Sequence, residues 1–214
     1  MKILLVAATK AEIEPFLTHF SFRDELPYDK SFGNYQIKVL IGGVGMVPTA
    51  FSVGKALSEH HFDLAINVGI AGSFIAELNP GDICQVKEDT FSELGAENGD
   101  EFLTIEALGL GRSTYFSKPN LLFPKLNNLM SVKAITVNKV HGNENSISKI
   151  VARFNPDIEN MEGAAFFYAC EQTKTCCMQI RAISNIVEKR NREKWKIGLA
   201  IKKLNDTLIQ IFES

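Results

Sequence analysis

The chain has 214 residues, 45% of them hydrophobic and 22% charged, which is an ordinary composition for a globular protein. This length suffices for one sizeable α/β domain, so we expect a single domain over residues 1–214. The formal net charge is -2, with both signs scattered along the chain. That balance predicts no nucleic-acid partner and no anionic membrane surface, and it favours a small, mostly buried ligand.

The cysteine pattern predicts a reduced protein without a metal site. Cys84, Cys170, Cys176 and Cys177 form no CxxC arrangement and have no histidine at metal-ligand spacing. We therefore expect core cysteines in a reducing compartment.

The sequence gives no sign of export or of a membrane span. The apolar run at residues 3–8 leads into charged residues instead of a cleavage site, and no stretch has membrane-spanning length, so we expect a cytoplasmic protein.

The first half of the chain alternates predicted strands with predicted helices. Continuous apolar runs indicate strands buried on both faces, and Thr9 with Glu12 forms a capping box that predicts a helix start. The predicted strands are residues 2–8, 35–41, 64–68 and 83–86, and the predicted helices begin near Thr9 and at Pro48, the latter reaching about His60.

The second half is predicted to begin with a loop-rich stretch at residues 88–128 and then to resume the alternation. Strands are expected at 133–137 and 176–183, and helices at 146–154 and 162–172. A last helix is predicted from an apolar stripe that closes the fold: Ile197, Ile201, Leu204, Leu208 and Phe212. The alternation predicts a layered α/β sheet with too few strands for an eight-fold barrel.

Small or polar turns follow four predicted strands, at residues 7–9, 42–45, 69–72 and 184–185. Open α/β sheets bind ligands beyond the carboxyl ends of their strands, so we expect the ligand site there. A dinucleotide is not expected. Gly43 and Gly45 lack the third glycine of that motif, whose place Pro48 takes, and Asp63 begins the next strand instead of ending it.

The order and spacing of six motifs resemble the nucleoside phosphorylase and nucleosidase superfamily almost end to end, and within it the futalosine hydrolase family. The motifs are Ala-Ala-Thr-Lys-Ala-Glu at 7–12, Gly-Gly-Val-Gly at 42–45, Asn-Val-Gly-Ile-Ala-Gly at 67–72, Phe-Ser-Glu-Leu-Gly-Ala-Glu at 91–97, Asn-Met-Glu-Gly-Ala-Ala at 160–165 and Arg-Ala-Ile-Ser-Asn at 181–185. The resemblance implies a layered α/β/α fold with a mixed central sheet, a purine nucleoside substrate, no metal or organic cofactor, and a homo-oligomer of two or more copies.

The resemblance assigns catalytic roles to two carboxylates. Glu162 matches the residue that grips the ribose hydroxyls, since a carboxylate accepts two hydrogen bonds from a vicinal diol. The alternative is an acid that merely stabilises a helix start. Glu12 matches the general base that activates water, although its capping-box position offers a purely structural role.

Asn185 departs from the related methylthioadenosine nucleosidases, in which an aspartate matches this position. A 6-oxopurine presents two acceptors, O6 and N7, and the amide NH2 group of an asparagine supplies donors for them. An aspartate would face that edge with an anion unless it were protonated. We therefore predict hypoxanthine as the base. The alternative is that Asn185 only caps a turn.

The remaining site residues follow from the resemblance alone. Met161 is expected against the sugar and His141 over the base, and Arg181 either near the water or paired with Glu12. Further substrate contacts are expected at Asn160, Ala71, Gly72 and Ser184. Phe91 and Glu93 are candidates for the wall that receives an aromatic carboxylate arm of the substrate, with Arg112 or Lys139 as its cation.

The expected reaction is hydrolysis, because Glu12 is an acid where a phosphorylase would hold phosphate. The product pair would be hypoxanthine and dehypoxanthine futalosine. Two alternatives stay open: a nucleosidase for methylthioadenosine, S-adenosylhomocysteine or aminodeoxyfutalosine, and a nucleoside-binding protein without catalysis.

Overall fold

The computed structural model describes residues 1–23, 27–118 and 129–213. Strands and helices alternate through most of this part of the chain. The strands are β1 (Lys2–Ala7), β2 (Tyr28–Phe32), β3 (Tyr35–Ile41), β4 (Leu64–Ser73), β5 (Ile83–Phe91), β6 (Gly95–Asn98), β7 (Glu101–Thr104), β8 (Thr114–Phe116), β9 (Met130–Thr136), β10 (Ile158–Asn160) and β11 (Cys177–Ile186). The helices are α1 (Lys10–His19), α2 (Met46–Glu59), α3 (Glu144–Phe154), α4 (Gly163–Gln172) and α5 (Ile197–Phe212).

The central sheet is mixed and curls upon itself. Its strand order is β10-β9-β5-β11-β4-β1-β3-β2, with β8 on β5, while β6 and β7 form a separate hairpin. Strands β3, β1, β4 and β11 run parallel to one another, and β5 runs antiparallel to β11. Because β10 pairs with both β9 and β4, five strands close into a ring.

Helices cover both faces of the sheet. Along β1, Ile3 and Leu5 pack in the cluster that includes α1 and α5, whereas Leu4 and Val6 pack in the cluster that includes α2 and α4. This alternation follows from the two-residue side-chain period of a strand, and it explains why β1 is an unbroken apolar run. The prediction of a layered α/β/α fold with a mixed sheet is confirmed.

Two of the predicted strand-end turns are wrong. Residues 69–72 belong to β4, which continues to Ser73 because β11 pairs along one edge and β10 along the other. Ser184 and Asn185 likewise lie inside β11, at a register shift between Ile183 and Asn185 that turns the strand locally. Small residues here permit close strand pairing instead of ending the strands.

Other boundaries differ in smaller ways. Helix α2 begins at Met46, so Pro48 lies in its first turn, where the backbone N–H has no intrahelical partner to lose. The stretch expected to be loop-rich contains β6, β7 and β8, although residues 119–128 of it lie outside the described residues.

The cysteine prediction is confirmed for three of the four residues. Cys84, Cys170 and Cys177 are buried free thiols, whereas Cys176 is exposed, so its assignment to the core is wrong. Within the described ranges, no helix is both long and apolar enough to cross a membrane.

Candidate active site

A cavity of about 400 Å³ opens where β1, β4 and β11 end and where α4 and α5 begin. Of the residues predicted to catalyse the reaction or to bind sugar and base, all except Arg181 and His141 line it, whereas none of the candidates for the carboxylate arm does. The full lining consists of Ala8, Thr9, Ala11, Glu12, Val44, Ile70, Ala71, Gly72, Val140, Glu159, Asn160, Met161, Glu162, Ser184, Asn185, Arg190, Trp195, Ile197 and Ile201. Its volume lies in the range of small-molecule sites, roughly 300–1,000 Å³.

Glu12 divides its two carboxylate oxygens between the helix start and the cavity. Oε2 accepts hydrogen bonds from the backbone N–H of Thr9 at 2.9 Å and from the Thr9 hydroxyl at 3.0 Å. Oε1 accepts from the backbone N–H of Ile70 at 3.4 Å, a long bond that holds it loosely. The capping role therefore fixes the side chain and leaves one oxygen free for other partners.

Glu162 is the residue that directly precedes α4, and it lines the same cavity as Glu12. Its Oε1 accepts a hydrogen bond of 3.0 Å from the backbone N–H of Gly45, which has φ of +96°. Burial raises the pKa of Glu162, opposed by the positive charge of Arg181 and the Gly45 bond, while the charge of Glu12 raises it further. The two carboxylates thus repel each other across one cavity, and Arg181 compensates both.

A buried polar network holds Asn160 directly before Glu162. The Asn160 Oδ1 accepts from the backbone N–H groups of Glu162 at 3.0 Å and Gly163 at 2.6 Å, so it caps α4. Its Nδ2 donates to Asp89 Oδ2 at 2.7 Å. Asp89 also accepts from the Thr136 hydroxyl at 2.7 Å and from Gln179 Nε2 at 3.1 Å. Burial raises the pKa of Asp89 to about 6, against these hydrogen bonds and the charge of Arg181.

Arg181 is buried, with 1% of its surface exposed, and it does not line the cavity. Its Nη2 donates to the side-chain oxygens of Asn67 and, at 3.3 Å, of Asn160, and its Nη1 donates to the Ile180 carbonyl at 3.2 Å. Burial lowers the pKa of the guanidinium, and the charges of Glu162, Asp89 and Glu12 raise it. Arg181 therefore acts on the carboxylates through its charge. Among the described residues its guanidinium bonds to Ile180, Asn67 and Asn160 and forms no ion pair with Glu12, so the direct pairing considered from the sequence is not found.

The amide of Asn185 is oriented by Ser184. The Ser184 hydroxyl lies 2.8 Å from Asn185 Oδ1 and 3.1 Å from the Ala71 carbonyl, and it shares its proton between them. The Asn185 Nδ2 donates to the Ile186 carbonyl at 3.1 Å. An amide nitrogen has two hydrogens, so one N–H of Asn185 stays available to a ligand.

Gly72 allows the side chains around it to approach closely. A Cβ on Gly72 would lie 2.8 Å from Val187 Cγ2, 3.2 Å from Asn185 Nδ2 and 3.6 Å from Glu159 Cγ. Ala71 is buried beside it, and Met161 is partly exposed in the lining. The predicted residues Ala71, Gly72 and Ser184 thus lie close to Asn185, and Met161 lines the same cavity.

His141 faces a different cavity, of about 480 Å³, between the β6–β7 hairpin and α3. Its Nδ1 lies 2.6 Å from Glu159 Oε2, and its backbone N–H donates to Glu159 Oε1 at 3.0 Å. Glu159 lines the active-site cavity and was missed in the sequence, because a glutamate in a three-residue strand carries no motif signal.

The candidates for a carboxylate arm are dispersed. Arg112 forms an ion pair with Glu171 and stacks on Tyr115, whereas Lys139 lines the cavity that contains His141. Phe91 and Glu93 line a third cavity, and Glu93 also lines the cavity that contains His141 and Lys139.

The cavity's own cation is Arg190, next to Trp195, and sequence reasoning missed both. Ile197 and Ile201, expected only as core positions of the last helix, line this cavity as well. Within the residues that the structure describes, no group of three His, Cys, Asp or Glu side chains is arranged to hold a metal ion.

Comparison with known proteins agrees with this architecture. The sequence pattern of the Phosphorylase superfamily matches residues 2–213. A futalosine hydrolase of Streptomyces coelicolor is 29% identical over 178 residues, which cover 79% of this chain and 76% of that protein. An aminodeoxyfutalosine nucleosidase of Campylobacter jejuni is 25% identical over 207 residues, or 86% of each.

The fold is also seen in a crystal structure of a mutant methylthioadenosine nucleosidase from Helicobacter pylori with 5'-methylthioadenosine in its active site. The TM-score is 0.86 at 18% identity, with 99% of this chain and 98% of that chain covered. Fold and cavity together define an α/β protein of the nucleoside phosphorylase-like class. The chain belongs to the Phosphorylase superfamily and, within it, to the nucleosidases, the N-glycosyl hydrolases of the group that includes futalosine hydrolases and methylthioadenosine nucleosidases.

Proposed function

We propose that the protein hydrolyses the N-ribosidic bond of futalosine and releases hypoxanthine and dehypoxanthine futalosine. The observation that carries the proposal is that two carboxylates, of Glu12 and Glu162, and one amide, of Asn185, line one cavity. The similarity to the Streptomyces coelicolor futalosine hydrolase supports the choice of substrate.

In the proposed reaction the bond between C1' and N9 breaks, and its electron pair leaves with the base. Glu12 takes a proton from a water molecule through the oxygen that the helix cap leaves free, and the water oxygen attacks C1'. Glu162 accepts hydrogen bonds from the ribose hydroxyls, and these bonds strengthen as positive charge develops on the sugar. A proton from solvent then neutralises the departing base.

Asn185 is proposed to read the purine. Its Oδ1 faces the Ser184 hydroxyl, so the amide N–H that remains free points a donor toward the base. The O6 and N7 atoms of hypoxanthine accept such a donor, whereas adenine presents an amino donor beside N7. Met161, Ala71 and Gly72 would form the wall around sugar and base.

Water is the proposed nucleophile instead of phosphate, on electrostatic grounds. Glu12 and Glu162 place negative charge in the cavity, and Arg181, the cation nearest to them, is buried and committed to Asn67 and Asn160. A phosphate dianion would lack a free arginine at this end of the cavity and would be repelled by both acids.

The test uses purified full-length protein with futalosine and its 6-amino analogue, each with and without phosphate, and identifies the free base. We expect hypoxanthine release from futalosine without phosphate. Adenine release at equal or better efficiency would support the aminodeoxyfutalosine or methylthioadenosine alternative, and a requirement for phosphate would identify a phosphorylase. Binding without any release would identify a nucleoside-binding protein.

A matched pair of variants examines the base preference. Asn185→Asp is expected to shift the ratio of kcat/KM toward the 6-aminopurine, because a carboxyl replaces the amide donor. Asn98→Asp makes the same chemical change at an exposed position of the β6–β7 hairpin and is the control. An unchanged ratio in Asn185→Asp would contradict the role given to this amide.

We also propose that copies of the chain associate through the start of α2. Val44, Val47 and Phe51 are 52%, 78% and 70% exposed. Val47 and Phe51 are four residues apart and therefore lie on one side of α2, and Val44 lies just before the helix. Val44 also lines the active-site cavity, so this surface adjoins the site. Phe51→Ser is expected to shift sedimentation velocity toward monomer, whereas Leu110→Ser, at another exposed residue, should not.

A further inference from the structure

Helix α1, which carries Glu12, contains a proline, Pro15, in its interior. A proline has no backbone N–H, and its ring clashes with the carbonyl of the fourth residue before it, so it opens the hydrogen-bond ladder of a helix. The next position of this ladder would join the Glu12 carbonyl to the N–H of Phe16. Both of these groups bind a side chain of another helix.

That side chain belongs to Asn205, on α5. Its Oδ1 accepts a hydrogen bond of 3.0 Å from the backbone N–H of Phe16, and its Nδ2 donates to the Glu12 carbonyl at 2.9 Å. The same Nδ2 donates to the Ile201 carbonyl at 2.7 Å. An amide nitrogen has two hydrogens, so both donors of Asn205 are in use and none is left for a ligand.

Asn205 is a buried amide between two otherwise apolar helix faces, and 1% of its surface is exposed. The buried residues around it are Ala200, Leu204, Leu208, Ile211 and Phe212 of α5 and Ile13, Phe16 and Leu17 of α1. Asparagine is disfavoured inside helices, and a buried amide costs free energy unless its hydrogen bonds are formed. An apolar residue would fill this interface without that cost, so the amide has a specific task, which is to close the ladder at Glu12.

The hydrogen bonds of Asn205 connect two helices that both line the active-site cavity, α1 through Glu12 and α5 through Ile201. The helix cap at Thr9 fixes the rotamer of Glu12, but it lies in the same short segment of the chain. The other carboxylate oxygen reaches the sheet through the long bond of 3.4 Å to Ile70. Asn205 therefore adds a short connection between the backbone of Glu12 and a distant part of the cavity wall.

We propose that Asn205 is a positioning residue for the general base: its amide holds the backbone of Glu12 where the carboxylate reaches the attacking water. The proposal rests on the proposed function in so far as Glu12 is that base. Asn205 does not line the cavity and acts through Glu12. Displacing a reacting group by about 1 Å can cost about 10²-fold in rate. Loss of the amide therefore lowers kcat, whereas KM depends on Glu162 and Asn185, which lie on other elements.

The test introduces Asn205→Leu into wild-type protein and into Glu12→Gln protein and measures base release from futalosine. Leucine keeps a branched side chain and removes all three hydrogen bonds. In wild-type protein the substitution is expected to lower kcat by about 10- to 100-fold with little change in KM. In Glu12→Gln protein it should cause little further loss, because the group through which it acts is already absent. An equal factor in both backgrounds, or an unchanged kcat in wild-type protein, would overturn the proposal.

Leu208→Ala is the matched control for stability. Leu208 lies three residues further along α5, is buried in the same cluster as Phe16 and does not line the cavity. Its truncation lowers the free energy of unfolding, and kcat should stay unchanged at a temperature at which the protein is folded. A comparable loss of kcat in Leu208→Ala would attribute the effect to general destabilisation and refute the positioning role. If Asn205→Leu does not fold, Asn205→Ser, with a side chain too short to span the ladder, replaces it with the same expected outcomes.

Amide hydrogen exchange separates failure of this inference from failure of the proposed function. The N–H of Thr9 donates to Glu12 Oε2, so its protection reports the placement of the carboxylate without any turnover. This protection should fall in Asn205→Leu and persist in Leu208→Ala. If wild-type protein releases no base but this pattern is found, the proposed function fails and the positioning by Asn205 stands. If base is released and Thr9 is equally protected in all three proteins, the positioning alone is refuted.

Discussion

At the scale of single residues, the sequence offers Glu12 two alternative roles, helix cap and general base, and the structure is compatible with both at once. One oxygen accepts both Thr9 donors, and the other faces Ile70 across a long hydrogen bond. A capping box fixes the rotamer of its glutamate. The cap therefore positions Glu12, the proposed general base, and uses only one of its two carboxylate oxygens. Fixing a base before the substrate binds reduces the entropy that must be lost in the reaction.

Glu12→Gln is expected to lower kcat by about 10²- to 10⁴-fold, the usual contribution of a general base. The glutamine keeps an oxygen for the Thr9 donors, so the free energy of unfolding should fall by less than about 1 kcal/mol. Initial rates of base release and urea unfolding measure the two effects. Glu14→Gln, at an exposed glutamate of the same helix paired with Lys10, is the control; a similar loss of kcat there would refute the assignment.

Glu162 predicts a pH dependence. Only the ionised carboxylate accepts both ribose hydrogen bonds, so activity falls as the pH drops through its pKa. Because burial raises that pKa, the acid limb of kcat/KM should lie above the usual glutamate value of about 4.3. Glu162→Gln should remove this limb and lower kcat/KM by about 10- to 100-fold. A limb that persists unchanged in the variant belongs to another group.

At the scale of elements, the start of α4 is held by the network beneath it. Asn160 caps the helix and binds Asp89, and Gly163 packs directly against Asp89 and Gln179. A Cβ on Gly163 would overlap Asp89 Oδ2 and Gln179 Oε1. The glycine of the Met-Glu-Gly motif is therefore a packing requirement for the element that carries Glu162.

Gly163→Ala should lower the free energy of unfolding by about 1–3 kcal/mol, as expected for an overpacked core, and should lower activity by displacing Glu162. Gly198→Ala provides the contrast, because nothing lies within 4 Å of the added methyl group in α5. That substitution should stabilise the protein by up to about 1 kcal/mol, since alanine favours a helix over glycine. Equal denaturation curves for the two variants would show that the overlap relaxes without cost.

At the scale of the whole molecule, one buried charge network connects the core to the cavity. Asp89 and Arg181 are both almost fully buried, and hydrogen bonds through Asn160 link them to the Glu162 backbone. Gln179 Oε1 and Arg181 Nε have no hydrogen-bond partner among the described residues. An incompletely satisfied buried network costs stability; here it holds the backbone of Glu162 and Gly163 through Asn160.

Stability should therefore depend on the ionisation of Asp89. Its pKa in the folded protein is about 6, above the ordinary value of 3.8, so the fold favours the neutral carboxyl. This contribution is fully present below the unfolded pKa and is lost as the pH rises through 6. The shift of about two units corresponds to roughly 3 kcal/mol.

The measurement compares the free energy of unfolding of wild-type protein and of Asp89→Asn between about pH 4 and pH 7. The wild-type value should fall relative to the variant over this window by about 2–3 kcal/mol. Asp100→Asn removes an exposed carboxyl from the β6–β7 turn and serves as the control. A constant difference between wild type and Asp89→Asn across the window would contradict the raised pKa.

Sequence patterns were sufficient for β1, β3, α3 and α5, each of which is found at nearly the predicted position. Continuous apolar runs and helical stripes are local signals, and packing on both faces of a sheet agrees with them. Strands β2, β6, β7, β8 and β10 escaped prediction because they are short or half exposed and depend on pairing partners elsewhere in the chain.

The sequence by itself determined the layered α/β class, the mixed sheet and the superfamily, and it named most of the residues that the cavity brings together. It did not show that Arg190 and Trp195 line the cavity, that Arg181 is buried outside the lining, or that His141 lines another cavity. Only the tertiary structure decided these points, because they depend on how β10 and β11 pair with β4 and on where the following loops cross. A side chain's environment is set by such long-range pairing, whereas a motif records only its neighbours along the chain.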